Sequence, residues 1–305
     1  MQVFRGFPPA SRHAALTIGN FDGVHRGHQA MLARLTEAAE DLALAPTVLT
    51  FDPHPREFFA PHSAPARLST LRDKLDQFAA RGVARVHVAR FDGRLAHLSA
   101  TEFIERIVVA ALRTRWMLVG EDFRFGRGRA GDLALLRASA RTFSVEALPA
   151  VTDDAERISS SAIREALLKG DLDHAARLLG RPYAISGRVA HGDKRGRSLG
   201  FPTANFALRR KPPLSGIFAV RVLGLGPAPH LGAASLGVRP TIQPDGRPVL
   251  EVFVFDFDLA IYGRRIRIEF LHKLRDEERY PDLGALTRQI GRDVEQARAY
   301  FSTRR

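Results

Sequence analysis

Two hydrophobic patterns alternate along the first half of the chain. Short apolar or β-branched runs, typical of buried strands, lie at 15–18, 46–51 and 116–120, and residues 85–89 alternate between polar and apolar as a strand does. Apolar residues at helical spacing fill 29–42 and 103–112, and Ser99 and Glu102 have capping-box spacing before the second of these. Strands that alternate with helices imply βαβ crossovers, so the pattern predicts an α/β domain on a parallel sheet covered on both faces.

The pattern changes near Arg181. Short apolar runs separated by Gly and Pro now dominate, and they lie at 218–222, 249–255 and 265–270. Several short strands with frequent turn signals predict a small barrel or sandwich. A helical pattern returns at 283–301 and predicts a C-terminal helix docked on that β structure. We therefore place a first domain at 1–182 and a second at 183–305.

The composition narrows the class of protein. The 305 residues are 45% hydrophobic and 26% charged and contain no cysteine, which excludes disulfides, thiolate metal sites and cysteine nucleophiles. No apolar run approaches the roughly 20 residues that a membrane helix needs. The N-terminus lacks an apolar signal core. These features predict a cytoplasmic enzyme with no membrane contact.

The net charge of +13 has three explanations. Nucleic-acid binding is one, since clustered Lys and Arg release counterions from a phosphate backbone. Small polyanionic substrates such as ATP are the second, and a solvated basic surface is the third. The arginines are dispersed, without a long basic tail or interleaved aromatic residues, so we expect no nucleic-acid partner.

A first candidate site lies where the strand at 15–18 meets the next helix. Backbone amides at a helix N-terminus bind phosphates, and His25 and His28 flank a glycine beside those amides. Such a site can stabilise charge on an α-phosphate as pyrophosphate leaves. The alternative is that the histidines merely cap a helix. The expected ATP and phosphate contacts of this segment are Gly19, Asn20, Phe21, Asp22 and Gly27.

Three further stretches accompany this site. Asp52 and His54 lie in a breaker run that could simply end a strand. Asp122 follows the strand at 116–120 and can accept a hydrogen bond from a ribose or adenine group. The third stretch has serines at an expected helix N-cap, which capping alone would explain. Arg157 precedes these serines at a spacing used for phosphate contact.

A second candidate site opens the β-rich domain at 187–205. Glycines within a basic loop can fold their amides around a phosphate, although the order of a Walker P-loop is absent. A hydroxyl and an amide oxygen suit Mg²⁺ beside ATP phosphates, which points to Thr203 and Asn205. A basic hairpin loop is the alternative. The remaining expected ATP contacts are Gly192, Lys194, Gly196, Gly200, Pro202 and Thr203.

Both halves resemble known families. The first resembles the His-x-Gly-His nucleotidyltransferases, and more narrowly the adenylyltransferase module of bacterial bifunctional riboflavin kinase/FAD synthetases. The stretch 187–205 is similar to the riboflavin kinase signature, and the two resemblances span nearly the whole chain. They imply an α/β Rossmann-like nucleotidyltransferase domain followed by a small antiparallel β-barrel riboflavin kinase domain with a C-terminal helix.

The resemblance also implies roles. Glu251 would be the general base for the riboflavin 5′-hydroxyl, and His25 and His28 would bind charge on the phosphates. Glu251 lies in an apolar strand, where burial of a lone carboxylate is costly, so we expect burial to support its role; an ion pair with a barrel arginine is the alternative. The implied substrates are ATP, riboflavin and FMN, with FAD as product and Mg²⁺ as cofactor. The implied triphosphate contacts are Ser160 and Arg164, and the implied flavin contacts are Asp52, His54, Arg275 and Glu277.

Three departures from the family pattern bear on flavin affinity and rate. Ser235 stands where the family usually has Asn, Phe253 replaces a common His, and Ile217-Phe218 replaces Val-Tyr. Two other functions stay open at this point: a different adenylyl- or cytidylyltransferase with an unrelated barrel, and an RNA-binding protein. The oligomeric state is also open, with a monomer as one option.

Overall fold

The computed structural model of the chain describes residues 1–191, 200–208, 210–238 and 248–303. The protein divides into two compact units. The first comprises Met1–Pro65 and Ser69–Ser159, and the second comprises Ala66–Leu68 and Ser160–Arg305. The domain boundary between 182 and 183 stays a prediction.

The first unit is built on a parallel sheet, which confirms the predicted α/β class. The six strands follow the spatial order β1-β4-β3-β2-β5-β6, and every neighbouring pair is parallel. The predicted central strands are present to within two residues at either end. The strands are β1 Gln2–Arg5, β2 Ala14–Ile18, β3 Ala45–Phe51, β4 Arg85–Ala89, β5 Thr114–Gly120 and β6 Ser144–Leu148.

Helices cover both faces of this sheet. One hydrophobic cluster includes Leu32 and Leu35 on one side, and another includes Phe103 and Ile104 on the other. A short antiparallel hairpin, β7 Thr152–Asp153 and β8 Glu156–Arg157, ends the unit. The helices are α1 Arg26–Asp41, α2 Pro55–Phe59, α3 Leu71–Ala79, α4 Gly93–Ala96, α5 Ala100–Glu102 and α6 Leu133–Ala138, with a 3₁₀ turn at Arg127–Arg129.

The predicted capping box at Ser99 and Glu102 is confirmed. The helix expected at 103–112 is present, but Phe103–Ala111 is a π-helix and not an α-helix. Its wider hydrogen bonding is visible at its end, where the Leu112 amide donates to the Ile107 carbonyl five residues earlier (2.9 Å). Apolar spacing does not distinguish these two helix types, because both bury one face.

The second unit contains a nearly closed antiparallel barrel, as predicted. Its strands follow the order β10-β13-β12-β11-β14-β9, and the Ala190 amide donates to the Asn205 carbonyl (2.8 Å), which joins the two ends of the sheet. The strands are β9 Ala184–Arg188, β10 Ala204–Ala207, β11 Gly216–Leu223, β12 His230–Val238, β13 Pro248–Val254 and β14 Arg265–Arg275.

Three helices accompany the barrel in the described part of the chain, namely α7 Ser160–Lys169, α8 Leu172–Leu179 and α9 Leu283–Ser302. The last is the predicted C-terminal helix, and its Ala297 packs with Ala219 and Ala233 of the barrel. Among the described residues, no helix has both the length and the apolar character needed to cross a bilayer.

Candidate active sites

The first candidate site lies at the carboxyl end of the parallel sheet. The chain leaves β2 towards β3 on one side and returns to β5 on the other, so the strand order reverses between β2 and β5. Ligands of open α/β sheets bind in the crevice at such a point. The segments that follow these two strands contain 19–28 and Asp122, so the fold brings two of the predicted stretches to one edge.

The two histidines stack at the N-terminus of α1. His25 is the N-cap residue, and its Nδ1 accepts a hydrogen bond from the His28 amide (3.3 Å). The imidazole rings lie 3.6 Å apart, centroid to centroid, and nearly parallel. Capping therefore does occur, but only one of the two rings is needed for it.

The environment of His28 favours a neutral imidazole. Burial lowers the pKa of His28 well below its ordinary value of 6.5, and the nearby His25 and Lys74 lower that pKa further. A neutral imidazole keeps one N–H donor and one acceptor nitrogen. His28 can thus donate a hydrogen bond to a phosphate oxygen at neutral pH without being an acid or a base.

Close packing fixes the turn before α1. Asp22 is buried, and its Oδ1 accepts hydrogen bonds from the Ser69 amide (3.1 Å) and hydroxyl (3.3 Å). A Cβ on Gly27 would lie 3.3 Å from the His25 ring, and one on Gly19 would lie 3.1 Å from the Phe21 ring. The glycines leave room for these aromatic rings, a reason that the sequence did not reveal.

Two ion pairs hold the β7–β8 hairpin beside this turn. Arg157 donates to Asp122 (2.6 Å), so the structure pairs two residues that the sequence assigned separately to phosphate and ribose or adenine. Arg26, in the first turn of α1, donates to Asp153 (2.5 Å). All four side chains are at least partly exposed.

The breaker run after β3 forms the start of α2. His54 is its N-cap and accepts from the Arg56 amide (3.1 Å), while Glu57 completes a capping box. Phe58 and Phe59, in the same helix, contact each other edge to face, and each makes the same kind of contact with Phe91. Phe58 is 40% exposed and Phe59 is 67% exposed. The sequence analysis missed this exposed aromatic cluster, although two adjacent phenylalanines after a Pro-rich turn signal it.

Ser160 and Arg164 belong to the second unit, where Ser160 begins α7. Arg164 Nε donates to the Ala66 carbonyl (2.6 Å), and its Nη1 donates to the Ser160 carbonyl (3.2 Å). The guanidinium is therefore oriented by backbone oxygens within its own unit. Its predicted contact with the triphosphate stays a prediction.

The second candidate site is a row of side chains across the barrel. Strand register places Asn205 opposite Glu251, Glu251 opposite Ser235, Ser235 opposite Ile217, and Ile217 opposite Arg275. Directly opposed residues of antiparallel strands point to the same face. Residues that are distant in sequence thus share one face, including the predicted base and one predicted magnesium ligand.

The expected burial of Glu251 is wrong. Glu251 is only half-buried, because β13 alternates: Leu250 and Val252 are fully buried, whereas Glu251 and Phe253 face the other side. A continuous apolar run concealed this alternation, since Phe253 occupies the partly exposed face. Partial exposure of Glu251 is compatible with a base that must contact a substrate. Because Glu251 is not fully buried, burial gives no support to this role. The alternative of an ion pair with a barrel arginine stays open.

The side chains of Thr203 and Asn205 lie next to each other. Asn205 Nδ2 donates to the Thr203 carbonyl (3.1 Å) and lies 3.4 Å from Thr203 Oγ1. Among the residues that the structure describes, no group of three or more His, Asp or Glu side chains could hold a metal ion. Two adjacent neutral oxygen donors fit Mg²⁺, which binds few protein groups and keeps waters or substrate phosphates as its other ligands.

Glu277 lies over the same part of the barrel. A Cβ on Gly237 would overlap the Glu277 carboxylate, so the absence of a side chain on β12 makes room for it. Phe201 meets Phe253 edge to face at 5.5 Å. A carboxylate and two aromatic rings therefore border the row that contains Glu251.

Arg275 is held by the C-terminal helix. Its Nε and Nη2 donate to the two oxygens of Asp293 at 2.8 and 2.7 Å, and Gln289 donates to the same carboxylate (3.0 Å). The bidentate hydrogen bond raises the pKa of Arg275 above its ordinary value. The guanidinium thus anchors α9 to β14, and its predicted flavin contact would use its remaining edge.

Some predicted contacts cannot be placed. Gly192, Lys194 and Gly196 lie outside the described residues. Gly200, the first described residue after this gap, has a φ of +85° and open space where a Cβ would lie, and Pro202 follows before the Thr203–Asn205 pair. A left-handed backbone at Gly200 is one that other residues adopt rarely.

Comparison with known proteins assigns each unit to a class. The FAD synthetase family matches residues 7–162, and the riboflavin kinase family matches residues 179–301. The fold is therefore that of a flavin-nucleotide transferase with two enzymatic domains.

Similarity extends over the full length of known enzymes. The chain is 46% identical to a bifunctional riboflavin kinase/FMN adenylyltransferase from Haemophilus influenzae, over 99% of this chain and 100% of that protein. It is 47% identical to one from Pseudomonas fluorescens, over 98% and 97%. A crystal structure from Streptococcus pneumoniae, described as a macrolide-efflux protein, shares the fold with a TM-score of 0.82 at 28% identity, over 98% and 99%. The chain belongs to the bifunctional riboflavin kinase/FMN adenylyltransferase family.

Proposed function

We propose that this protein performs both reactions of its family with the residues described above. It phosphorylates riboflavin to FMN with ATP, and it transfers AMP from ATP to FMN, which gives FAD and pyrophosphate. The observation that carries the proposal is the match of both family models to one chain whose similarity to bifunctional relatives is end to end. The two alternative functions have no comparable support.

The barrel is the kinase site. Glu251 accepts the proton of the riboflavin 5′-hydroxyl while the oxygen of that hydroxyl bonds to the γ-phosphorus of ATP. The bond between the γ-phosphorus and the oxygen that bridges it to the β-phosphorus breaks, which releases ADP. The opposed Asn205 belongs to the same row, so the base and the phosphate-binding end of the site lie on neighbouring strands. Phosphoryl transfer depends mainly on such positioning.

Thr203 and Asn205 would hold Mg²⁺ together with the ATP phosphates. The ion would supply positive charge that offsets the charge developing on the phosphates. The glycine-rich loop, with Gly192, Lys194, Gly196, Gly200 and Pro202, would cradle the same phosphates. Arg275 and Glu277 would border the flavin.

The α1 turn is the adenylyl-transfer site. An oxygen of the FMN phosphate attacks the α-phosphorus of ATP, and the bond to the bridging oxygen of pyrophosphate breaks. The backbone amides after His25 and the N–H of neutral His28 donate to the phosphate oxygens. A phosphate monoester is already an anion, so neither histidine has to remove a proton.

Other groups of the first unit would complete this site. Gly19, Asn20, Phe21, Asp22 and Gly27 would shape the phosphate-binding turn, Asp122 would bind the ribose or adenine, and Arg157 would contact the triphosphate. Ser160 and Arg164, which belong to the second unit, stay predicted triphosphate contacts. Asp52 and His54 lie near the flavin. The exposed Phe58 and Phe59, together with the half-buried Phe91, offer an aromatic surface for the isoalloxazine ring.

Single substitutions separate the two sites. Glu251→Ala should stop formation of FMN from riboflavin while conversion of FMN to FAD continues, and His28→Ala should do the reverse. Each product is measured by chromatography with ATP and Mg²⁺. Absence of both activities from the unsubstituted protein would refute the proposed function, and loss of both in either variant would refute independent sites.

We further propose a cytoplasmic enzyme without a nucleic-acid partner, with a domain boundary between 182 and 183. A protein free of cysteine suits a reducing compartment, although it does not require one. Tight RNA binding that weakens steeply with salt would contradict the proposal about partners.

A further inference from the structure

A buried lysine lies beneath the α1 turn. Lys74, in α3, is 6% exposed, and lysines are almost never so buried unless they are paired. Its Nζ donates to the Asn20 carbonyl (3.1 Å), and the Thr50 hydroxyl donates to the same oxygen (3.4 Å). Since burial of an ammonium is costly, packing alone is a poor reason for a lysine at this position.

The carbonyl that Lys74 binds belongs to a strained turn. Phe21, the next residue, has a φ of +50°, and Val24 has a φ of +43°. Residues other than glycine keep such a backbone only where the surrounding structure fixes it, and such residues cluster at functional sites. Lys74 fixes the turn at the residue before the first of them.

Two residues that interact with Lys74 have buried polar atoms without a hydrogen-bond partner in the described structure. Within the described residues, Asn20 Oδ1 and His28 Nδ1 are buried and have no hydrogen-bond partner. Both belong to residues next to Lys74: one through its carbonyl, the other through the electrostatic effect of the ammonium on the imidazole. A packed core without a ligand would leave few such atoms.

We propose that Lys74 is a positioning residue for adenylyl transfer, which holds the Asn20 carbonyl and thereby the backbone from β2 to His28. The inference rests on the proposed role of this turn in FMN adenylylation. Lys74 acts through Asn20 and His28, and the proposal requires no contact with the substrate.

A second effect of Lys74 is electrostatic. Burial is the largest cause of the lowered pKa of His28, and His25 and Lys74 are the charged or titratable groups that lower it further. Removal of the Lys74 charge should raise this pKa. The fraction of neutral His28 would then begin to fall at a higher pH, so the acid limb of the FMN-to-FAD profile should move to higher pH.

The test compares Lys74→Met, which keeps length without charge, with Lys74→Arg, which keeps the charge. Arg72→Met is the matched control, because Arg72 lies on the same helix but is exposed. Conversion of FMN to FAD and of riboflavin to FMN are measured separately over a range of pH. We expect Lys74→Met to lower kcat for FAD formation about 10- to 100-fold, as misplacement by about 1 Å can do, with riboflavin phosphorylation unchanged.

Lys74→Arg should restore the position of the acid limb, and Arg72→Met should match the unsubstituted protein in both reactions. Unchanged FAD formation and an unchanged acid limb in Lys74→Met would overturn the inference. So would loss of both activities, which would make Lys74 a general stability residue.

The two proposals fail differently. If His28→Ala leaves FAD formation intact, the proposed site itself is wrong. If His28→Ala abolishes FAD formation but Lys74→Met does not change it, only the role of Lys74 is wrong.

Discussion

The ion pair between Arg275 and Asp293 gives a sharp test of how the C-terminal helix is held. Asp293 is 4% exposed and accepts three hydrogen bonds, two of them from Arg275. Asp293→Ala would leave the guanidinium, whose side chain is 17% exposed, without its carboxylate. The Arg275 guanidinium would keep its hydrogen bond to the Asp276 carbonyl (2.8 Å) and its position over the Tyr280 ring.

The expected loss of stability follows from this geometry. Removal of one partner of a buried ion pair costs about 3–5 kcal/mol. Because Arg275 retains some solvent access and one backbone acceptor, we expect about 2–3 kcal/mol. For a unit of this size, each kcal/mol lowers Tm by about 2–4 °C, so Tm should fall by about 4–12 °C.

The assay is thermal unfolding, with riboflavin phosphorylation followed after heating. Asp256→Ala is the matched control, since Asp256 also binds an arginine through two hydrogen bonds but is 79% exposed. We expect no measurable shift of Tm in the control. The double change Arg275→Met/Asp293→Leu should recover most of the loss, because no buried charge is left behind. Equal Tm values for Asp293→Ala and Asp256→Ala would refute the reasoning.

Three other changes test the two sites. Gly237→Ala should displace the Glu277 carboxylate and impair riboflavin phosphorylation, measured as kcat and KM, whereas Gly226→Ala, with no atom closer than 4.0 Å, should not. Thr203→Val should raise the Mg²⁺ concentration at which riboflavin phosphorylation is half-maximal, without a change in FAD formation. Because the pKa of His28 is lowered in the folded protein, the unfolded chain binds more protons than the folded chain below pH 6.5. The free energy of unfolding should therefore decrease as the pH falls below 6.5. Thermal melts should show this loss, and a His28→Gln protein that shows it equally would contradict the assignment.

The strands that the sequence revealed are those buried on both faces. Every residue of β2 and β4 is buried; β2 is an uninterrupted apolar or β-branched run, whereas in β4 Arg85 and His87 alternate with apolar residues. The two edge strands, β1 and β6, are mostly exposed or half-buried and carry no such run. An edge strand has a neighbour on one side only, and its sequence is correspondingly less constrained.

The site residues divide in the same way. His25 and His28 are three positions apart, so a local motif was enough to find them. Lys74 lies 54 positions from Asn20, and nothing in a lysine of an amphipathic helix reveals that its ammonium is buried. The Glu251 row depends on the register of several strand pairs, which no local pattern specifies.

Asn205 gives the barrel a link between ligand occupancy and local opening. Its backbone carbonyl accepts the Ala190 amide that joins the ends of the sheet, and its side chain lies beside Thr203. A ligand that binds only the closed form stabilises that form by mass action. Nucleotide binding should therefore slow hydrogen exchange of the Ala190 amide. The exchange rate of this single amide would then report how often the barrel opens locally at the kinase site.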